Sequence, residues 1–277
     1  MLGLQSHRYP LTPLEDPIFV QQLEQHNIVF LGPSSDAMSQ LGDKIAAKYL
    51  AEKAGVPLAP WSEYKAEWTL EELLAEGERI GYPLMVKASA GGGGRGIRKV
   101  KQPENLQKTI ETVQSEVEKF FGQGGILLER CVSNARHIEV QLVCTSTKAH
   151  AVGIRDCSIQ RKNQKVIEEA PSPILPEDIG SLLMESSENL AQLCNYKGVA
   201  TAEFLYEPMS RTTTFLEVNS RLQVEHTITE AITGTDLVQA QISIALGWAW
   251  TPPVNLIHGH AIELRVNAED PEKDFRP

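Results

Sequence analysis

Four consecutive glycines, Gly91–Gly94, run into Arg95 and Gly96 between two short apolar segments, PLMVKAS (83–89) and IRKV (97–100). A run without Cβ atoms cannot sit inside a helix or strand, so it must be a turn or a loop whose backbone N–H groups are open to a partner. Gly91, Gly93 and Gly96 formally satisfy GxGxxG, yet the following IRKV is a strand pattern where a dinucleotide fold needs a helix. A P-loop fails as well, because Ile97 stands where its lysine belongs. What remains is strand, glycine flap, strand. With Lys87 and Arg95 beside it, the flap suits a triphosphate, the alternative being a mobile hairpin tip.

A second pattern lies in ATAEFLYE (200–207) and TTFLEVNSRLQVEH (213–226). If EPMSRT is the turn, centred near Ser210, residues whose numbers sum to about 420 face each other. Glu203 and Glu217 then oppose on one face, where they repel unless a cation sits between them. Mg²⁺ accepts one or two carboxylates and completes its shell with water and phosphate, and Asn219 can add an amide oxygen. Alternation carried past Asn219 places Arg221, Gln223 and Glu225 on the same face, with Leu216, Val218, Leu222 and Val224 opposite. Arg221 then offers a planar anion fork and Glu225 a base. Glu129 after ILL, His137 in RHIEV and the cationic QRKNQK (160–165) are weaker signals, read by themselves as a surface carboxylate, a structural histidine and a solvated loop.

The remaining segments predict an α+β chain. Helices are expected over Asp36–Ala54, Thr69–Ile80 (Thr69 and Glu72 forming a capping box), Pro103–Phe120, Pro176–Tyr196 and 228–247. Further strands are expected at Ile28–Leu31, 125–131, 136–145, 150–163 and 260–270. The net charge of −10 argues against nucleic acid or an anionic membrane as the main partner. The first residues lack the basic-then-apolar order of a secretory signal, and no run of roughly 18 apolar residues predicts a membrane span. Cys131, Cys144, Cys157 and Cys194 include no CxxC pair, which suits a reducing, cytoplasmic setting.

Taken in order, LGDKIAAK, VKASAGGGGRGIRKV, ERCVSNARHIEVQ, RDCSIQRKNQKVIEEAP, EFLYE, FLEVNSRLQVEHTITE and HAIELRVNAEDP strongly resemble the biotin carboxylase family, from about Phe19 to the end. The resemblance implies an ATP-grasp fold with a glycine-rich flap subdomain. It divides the chain into a leader and N-terminal, Rossmann-like remnant (1–43), an ATP-grasp domain (44–247, flap about 59–132) and the start of a C-terminal domain (248–277). Lys44 and Lys87 would contact phosphates, Gly91, Gly92, Gly93 and Gly94 would close over ATP, and Glu129, Arg130, Cys131 and Val132 would hold adenine and ribose. His137, Gln160, Asn163 and Lys165 would line the nucleotide and bicarbonate pocket. Glu203, Glu217 and Asn219 would carry two Mg²⁺ or Mn²⁺ ions. Arg221, Gln223 and Val224 would grip bicarbonate, Glu225 would deprotonate it, and Arg265 would stabilise the enolate-like biotin.

The resemblance also implies partners: a biotin carboxyl carrier, a carboxyltransferase and a homodimer mate. Asn163 stands where relatives carry histidine, and Glu263 where a cysteine is common. The family's PGYGFLSEN region, most of its C-terminal domain and its biotin-accepting AMKM segment are not in the sequence, so a chain cut short at both ends is expected. Two other readings remain: a carbamoyl-phosphate synthase-like ligase, and an inactive nucleotide-binding module.

Overall fold

A computed structural model describes residues 15–62, 68–88, 96–121, 125–161, 164–252, 257–268 and 270–273. The expectations for Gly91, Gly92, Gly93, Gly94, Arg95 and Asn163 fall outside these residues.

Three helices open the described chain, and each start is set by a side-chain oxygen. Asp16 caps α1 (Pro17–Gln25) and Ser34 caps α2 (Ser35–Gly42). Asp43 accepts from the Ile45 and Ala46 N–H groups to begin α3 (Lys44–Lys53). That cap divides the single helix expected over Asp36–Ala54, because Asp43 itself is extended. Ile28–Leu31 forms no strand among the described residues, and Ile28, Val29 and Leu31 are exposed.

The small sheet is antiparallel in the order β2-β1-β3, from β1 (Leu84–Ala88), β2 (Ile97–Val100) and β3 (Ile126–Arg130). Against it pack α4 (Leu70–Ile80), with the expected capping box at Thr69 and Glu72, and α5 (Leu106–Phe121). Leu73, Ile80, Leu84, Val86, Leu106, Ile110, Val113 and Leu128 form a core of their own.

The large sheet has six strands in the order β8-β7-β4-β5-β6-β9. These are β4 (Arg136–Cys144), β5 (Ala149–Arg161), β6 (Gln164–Ala170), β7 (Gly198–Glu207), β8 (Thr212–Asn219) and β9 (Ala261–Leu264). β6 was not foreseen: its QKVIEEA follows the cationic RKN directly, so the expected loop is a strand pair with Lys165 on β6. Period-two alternation gives each central strand two buried faces. Ile138, Val140 and Leu142 of β4 join Ala200, Ala202 and Phe204 of β7 in the main core, packed against α2, α3 and α6 (Glu177–Leu193). Glu139 and Gln141, then Thr201 and Glu203, take the intervening positions.

Helices α7 (His226–Thr233) and α8 (Leu237–Ala245) cover the second face. Gly234 in the left-handed region and the Asp236 cap divide the helix expected over 228–247. α7 can approach β5 closely because Gly153 has no side chain: a Cβ there would lie 3.3 Å from the Thr229 methyl. The two antiparallel sheets with their helices make an α+β chain, as expected.

Phe204 is fully buried and meets the Phe215 ring edge-on at 5.9 Å. Phe204→Ala should cost about 3–5 kcal/mol in denaturant unfolding. Met209→Ala, at a 94% exposed turn position, should change stability by no more than about 0.5 kcal/mol.

Candidate active site

One lateral row crosses four strands of the large sheet. Arg155 on β5 faces Glu139 on β4, Glu139 faces Glu203 on β7, and Glu203 faces Glu217 on β8. The expected pairing of Glu203 with Glu217 is therefore present, and Asn219 pairs with Thr201 beside it. Three carboxylates in neighbouring cross-strand positions repel strongly, so the row stands only with cations around it.

Arg155 supplies the first. It is fully buried and uses its whole guanidinium: Nε and Nη2 donate to Glu139 Oε2 at 3.1 and 3.0 Å, and Nη1 to Gln141 Oε1 at 2.6 Å and Thr229 Oγ1 at 2.9 Å. Nη2 also donates to Thr201 Oγ1 at 3.1 Å and Gln223 Oε1 at 3.0 Å. Lys165 supplies the second, contacting Glu139, Glu203 at 3.0 Å and Glu225 at 2.6 Å. Burial would lower the Lys165 pKa, but Glu139, Glu203 and Glu225 together hold it well above the usual lysine range.

His137 lies at the pocket edge with Nε2 2.9 Å from Glu203 Oε2, an ion pair when the imidazole is protonated. Its Nδ1 faces the Gln160 amide nitrogen at 2.8 Å. Burial works against protonation of His137, yet Glu203 and Glu139 raise its pKa overall. Burial likewise pushes Glu203 up, but His137 and Lys165 outweigh it and keep that carboxyl far below the usual range.

Glu217 differs. It reaches solvent on the edge strand, yet crowding by protein atoms and the neighbouring Glu203 raise its pKa, and Lys44, the first residue of α3, is the main opposing charge. A carboxylate in that condition is stabilised by a cation. With the Glu203 carboxylate opposite and the Asn219 amide next to it, the donor set is hard oxygen, which fits Mg²⁺ or Mn²⁺. His137, Glu139 and Glu203 also bring ligand atoms within 4.8 Å of one another, as do Glu139, Cys157 and Glu225. Glu139 and Glu225 already serve Arg155 and Lys165, and burial pushes the Cys157 thiol far up. Glu203 belongs to the first of these sets and to the hairpin set alike, so Glu217, with its raised pKa, is what favours the hairpin set.

Past Asn219 the expected alternation breaks down. β8 ends there, and His226 already begins α7. Leu222 packs with Val143 and Val199 while Val218 lies in the main core, so the two share no face. The polar residues still converge, because the turn folds them under the sheet. Arg221, Gln223, Val224 and Glu225 line a cavity of about 550 Å³ together with His137, Gln160, Lys165, Glu203, Glu217, Asn219 and Arg265. Gln223 donates to Glu203 Oε1 at 3.1 Å, Asn219 donates to the same oxygen at 2.8 Å, and Arg221 Nε lies 3.2 Å from Glu15.

Arg265 follows β9 and reaches Glu225 Oε2 at 2.7 Å and the buried Glu168 at 2.8 Å. Burial favours protonation of Glu225, but Lys165 holds its pKa below the usual range, so it rests as a carboxylate.

A second cluster lies on the small sheet. Glu129 is buried with its two oxygens on different lysines, Lys48 of α3 at 2.5 Å and Lys87 of β1. Its carboxylate is thus engaged rather than open to a base or ribose. Arg130 points away, donating to the Ile80 carbonyl at 3.1 Å, and the Cys131 thiol contacts the Val132 carbonyl.

Lys48, Glu139, Arg155 and Glu168 were not singled out from sequence. Glu139 and Gln141 alternate with Ile138, Val140 and Leu142 in one strand, a pattern that marks a polar inner face. Lys48 looks like any surface lysine of an amphipathic helix.

Residues 43–251 match the family described as carbamoyl-phosphate synthase L chain, ATP binding domain. The biotin carboxylase of Nostoc sp. is 44% identical over 266 residues, covering 95% of this chain and 59% of that protein. The urea amidolyase of Saccharomyces cerevisiae is 46% identical over 95% of this chain and 14% of its own length. Among solved structures, the biotin carboxylase–β-γ-ATP complex from Campylobacter jejuni aligns with a TM-score of 0.88 at 39% identity, over 97% of this chain and 60% of that one. The biotin carboxylase domain of Hydrogenobacter thermophilus 2-oxoglutarate carboxylase, solved with MgADP, ADP and bicarbonate, aligns at 0.87 and 38%, over 98% and 60%. The chain belongs to this family of ATP-binding domains, is similar within it to biotin carboxylases, and its fold is the ATP-grasp fold. It spans about half to three-fifths of the biotin carboxylases it matches.

Removing the hub of the row should be costly. Arg155→Met leaves Glu139 buried without its guanidinium, and unfolding free energy should fall by roughly 3–5 kcal/mol in urea.

Proposed function

We propose that this chain is the ATP-grasp core of a biotin carboxylase, which uses ATP and bicarbonate to carboxylate biotin on a carrier protein. The observation that carries the reading is the convergence of two carboxylates, an anion fork and a resting carboxylate base around one cavity. Glu203, Glu217 and Asn219 would hold the divalent ions, which neutralise phosphate charge when bound. Lys44 and Lys87 would face the phosphates, with the Gly91–Gly94 flap above them.

Arg221 and Gln223, with Val224 at the mouth, would seat bicarbonate against Glu225. Glu225 takes the bicarbonate proton, the freed oxygen attacks the γ-phosphorus, and ADP leaves, giving carboxyphosphate. Lys165, bonded to Glu225 at rest, steadies the charge as that proton moves. Carboxyphosphate breaks down to CO₂ and phosphate, phosphate takes the ureido proton of biotin, and Arg265 stabilises the anion that captures CO₂.

The separate core of the small sheet supports a flap subdomain at about 59–132 within an ATP-grasp domain of 44–247, flanked by an N-terminal remnant and the start of a C-terminal domain. A biotin carrier and a carboxyltransferase of acyl-CoA carboxylase type would complete the enzyme, serving fatty acid synthesis, with dimerisation through a second copy. The four cysteines are free thiols, which suits the cytoplasm, and no helix among the described residues is long and apolar enough to cross a membrane.

ADP release with Mg-ATP should require bicarbonate and rise with free biotin. Arg221→Ala should lower the bicarbonate-dependent rate by about 100-fold. ADP release indifferent to bicarbonate, or equal in Arg221→Ala, contradicts the assignment, and stimulation by ammonia instead of biotin points to carbamoyl-phosphate chemistry.

A further inference from the structure

The Glu129 cluster holds more positive charge than its one carboxylate needs. Lys87 and Glu129 are diagonal neighbours on one face of the small sheet, since Lys87 pairs with Leu127 and Met85 with Glu129. Lys48 comes from α3, a helix whose Ala47 and Ala51 belong to the main core. The two ammonium groups differ in access: the Lys48 side chain is 4% exposed, that of Lys87 21%. Lys48 is also held over the Trp61 ring, 5.5 Å from its centroid, while Trp61 bridges to Glu129 through the backbone. Burial lowers the Lys48 pKa and Glu129 is the main force opposing that shift, so the two hold each other.

We infer that Lys48 is a positioning residue for nucleotide binding: it serves as the permanent counter-charge of Glu129, so that Lys87 can leave Glu129 for a phosphate. This rests on the reading that Lys87 meets ATP phosphates. A buried carboxylate stripped of its only cation is strongly disfavoured. With Lys48 in place, Lys87 can swing outward without creating that state. Without Lys48, Glu129 would depend more heavily on Lys87, with Lys44 the further described cation that acts on it, and would hold Lys87 more tightly. The pairing also links nucleotide binding to both lobes, since α3 packs on the large sheet and β3 belongs to the small one.

Charge accounting makes the test specific. In calorimetric titrations with Mg-ATP, Lys48→Met should weaken binding by about tenfold or more, and Lys48→Arg, which keeps the charge, should stay within about threefold of the parent. The double variant Lys48→Met/Glu129→Gln removes the trap along with its counter-charge and should recover at least about fivefold over Lys48→Met. A merely structural Lys48 would show no such recovery, and thermal melts of each variant report folding separately. Unchanged binding in Lys48→Met, or a double variant no better than that single one, overturns the inference. Failure of the parent chain to bind Mg-ATP removes the Lys87 role and the inference with it. Tight Mg-ATP binding without bicarbonate-dependent ADP release would instead sink the carboxylase reading and leave Lys48 in place.

Discussion

Like charges set side by side govern this molecule. Glu139, Glu203 and Glu217 occupy adjacent cross-strand positions, about 5 Å apart by sheet geometry, the first two buried and Glu217 exposed on the edge strand. Such a row is tolerable only if each member has its own compensation, and the surrounding architecture supplies it unevenly. Arg155 and Lys165 serve Glu139, and Lys165 and His137 serve Glu203. Glu217, at the edge strand, is left with a raised pKa and the more distant Lys44. The end of the row is where a cation from solution gains most, and it is also where the cavity opens.

The double-sided burial of the large sheet follows from the same need. One face carries an ordinary apolar core against α2, α3 and α6, which makes the strands rigid. The other is apolar under α8 and polar elsewhere, covered in part where α7 approaches β5 over Gly153 and offers Thr229 to Arg155. Rigidity on the first face holds the charged groups of the second in place, and low dielectric around them strengthens each contact. The small sheet, with its separate core, meets this platform through Lys48 and Glu129 and through residues 60–62, whose backbone runs alongside β3. Charged groups thus sit both at the reaction cavity and at the junction between the lobes.

Much of this was legible in the sequence where a local period decided the outcome. The Glu203–Glu217 register came from a turn position and strand alternation, and the Thr69 capping box from a four-residue pattern. Failures came where chain direction changed within a few residues. Asp43 and Asp236 look like helix residues in a periodic reading, yet each caps a new helix. The row past Asn219 reads as strand because alternate residues are polar, but those residues converge through a turn instead. Lys48, Arg155 and Glu168 could not be found by spacing, since their partners lie far away in sequence and only packing brings them together. The family resemblance pointed to Lys165 and Arg265, and both line the cavity beside tertiary neighbours that no short pattern contains.

The central claim is that the carboxylate row ends in a divalent-cation site at Glu217. Mn²⁺ binding followed by electron paramagnetic resonance, with ADP present, measures this directly. Loss of the free-ion signal on adding the chain, and its return in Glu217→Gln, is the predicted result. Free Mn²⁺ unchanged by the protein, or equal uptake by the parent chain and Glu217→Gln, would contradict the account.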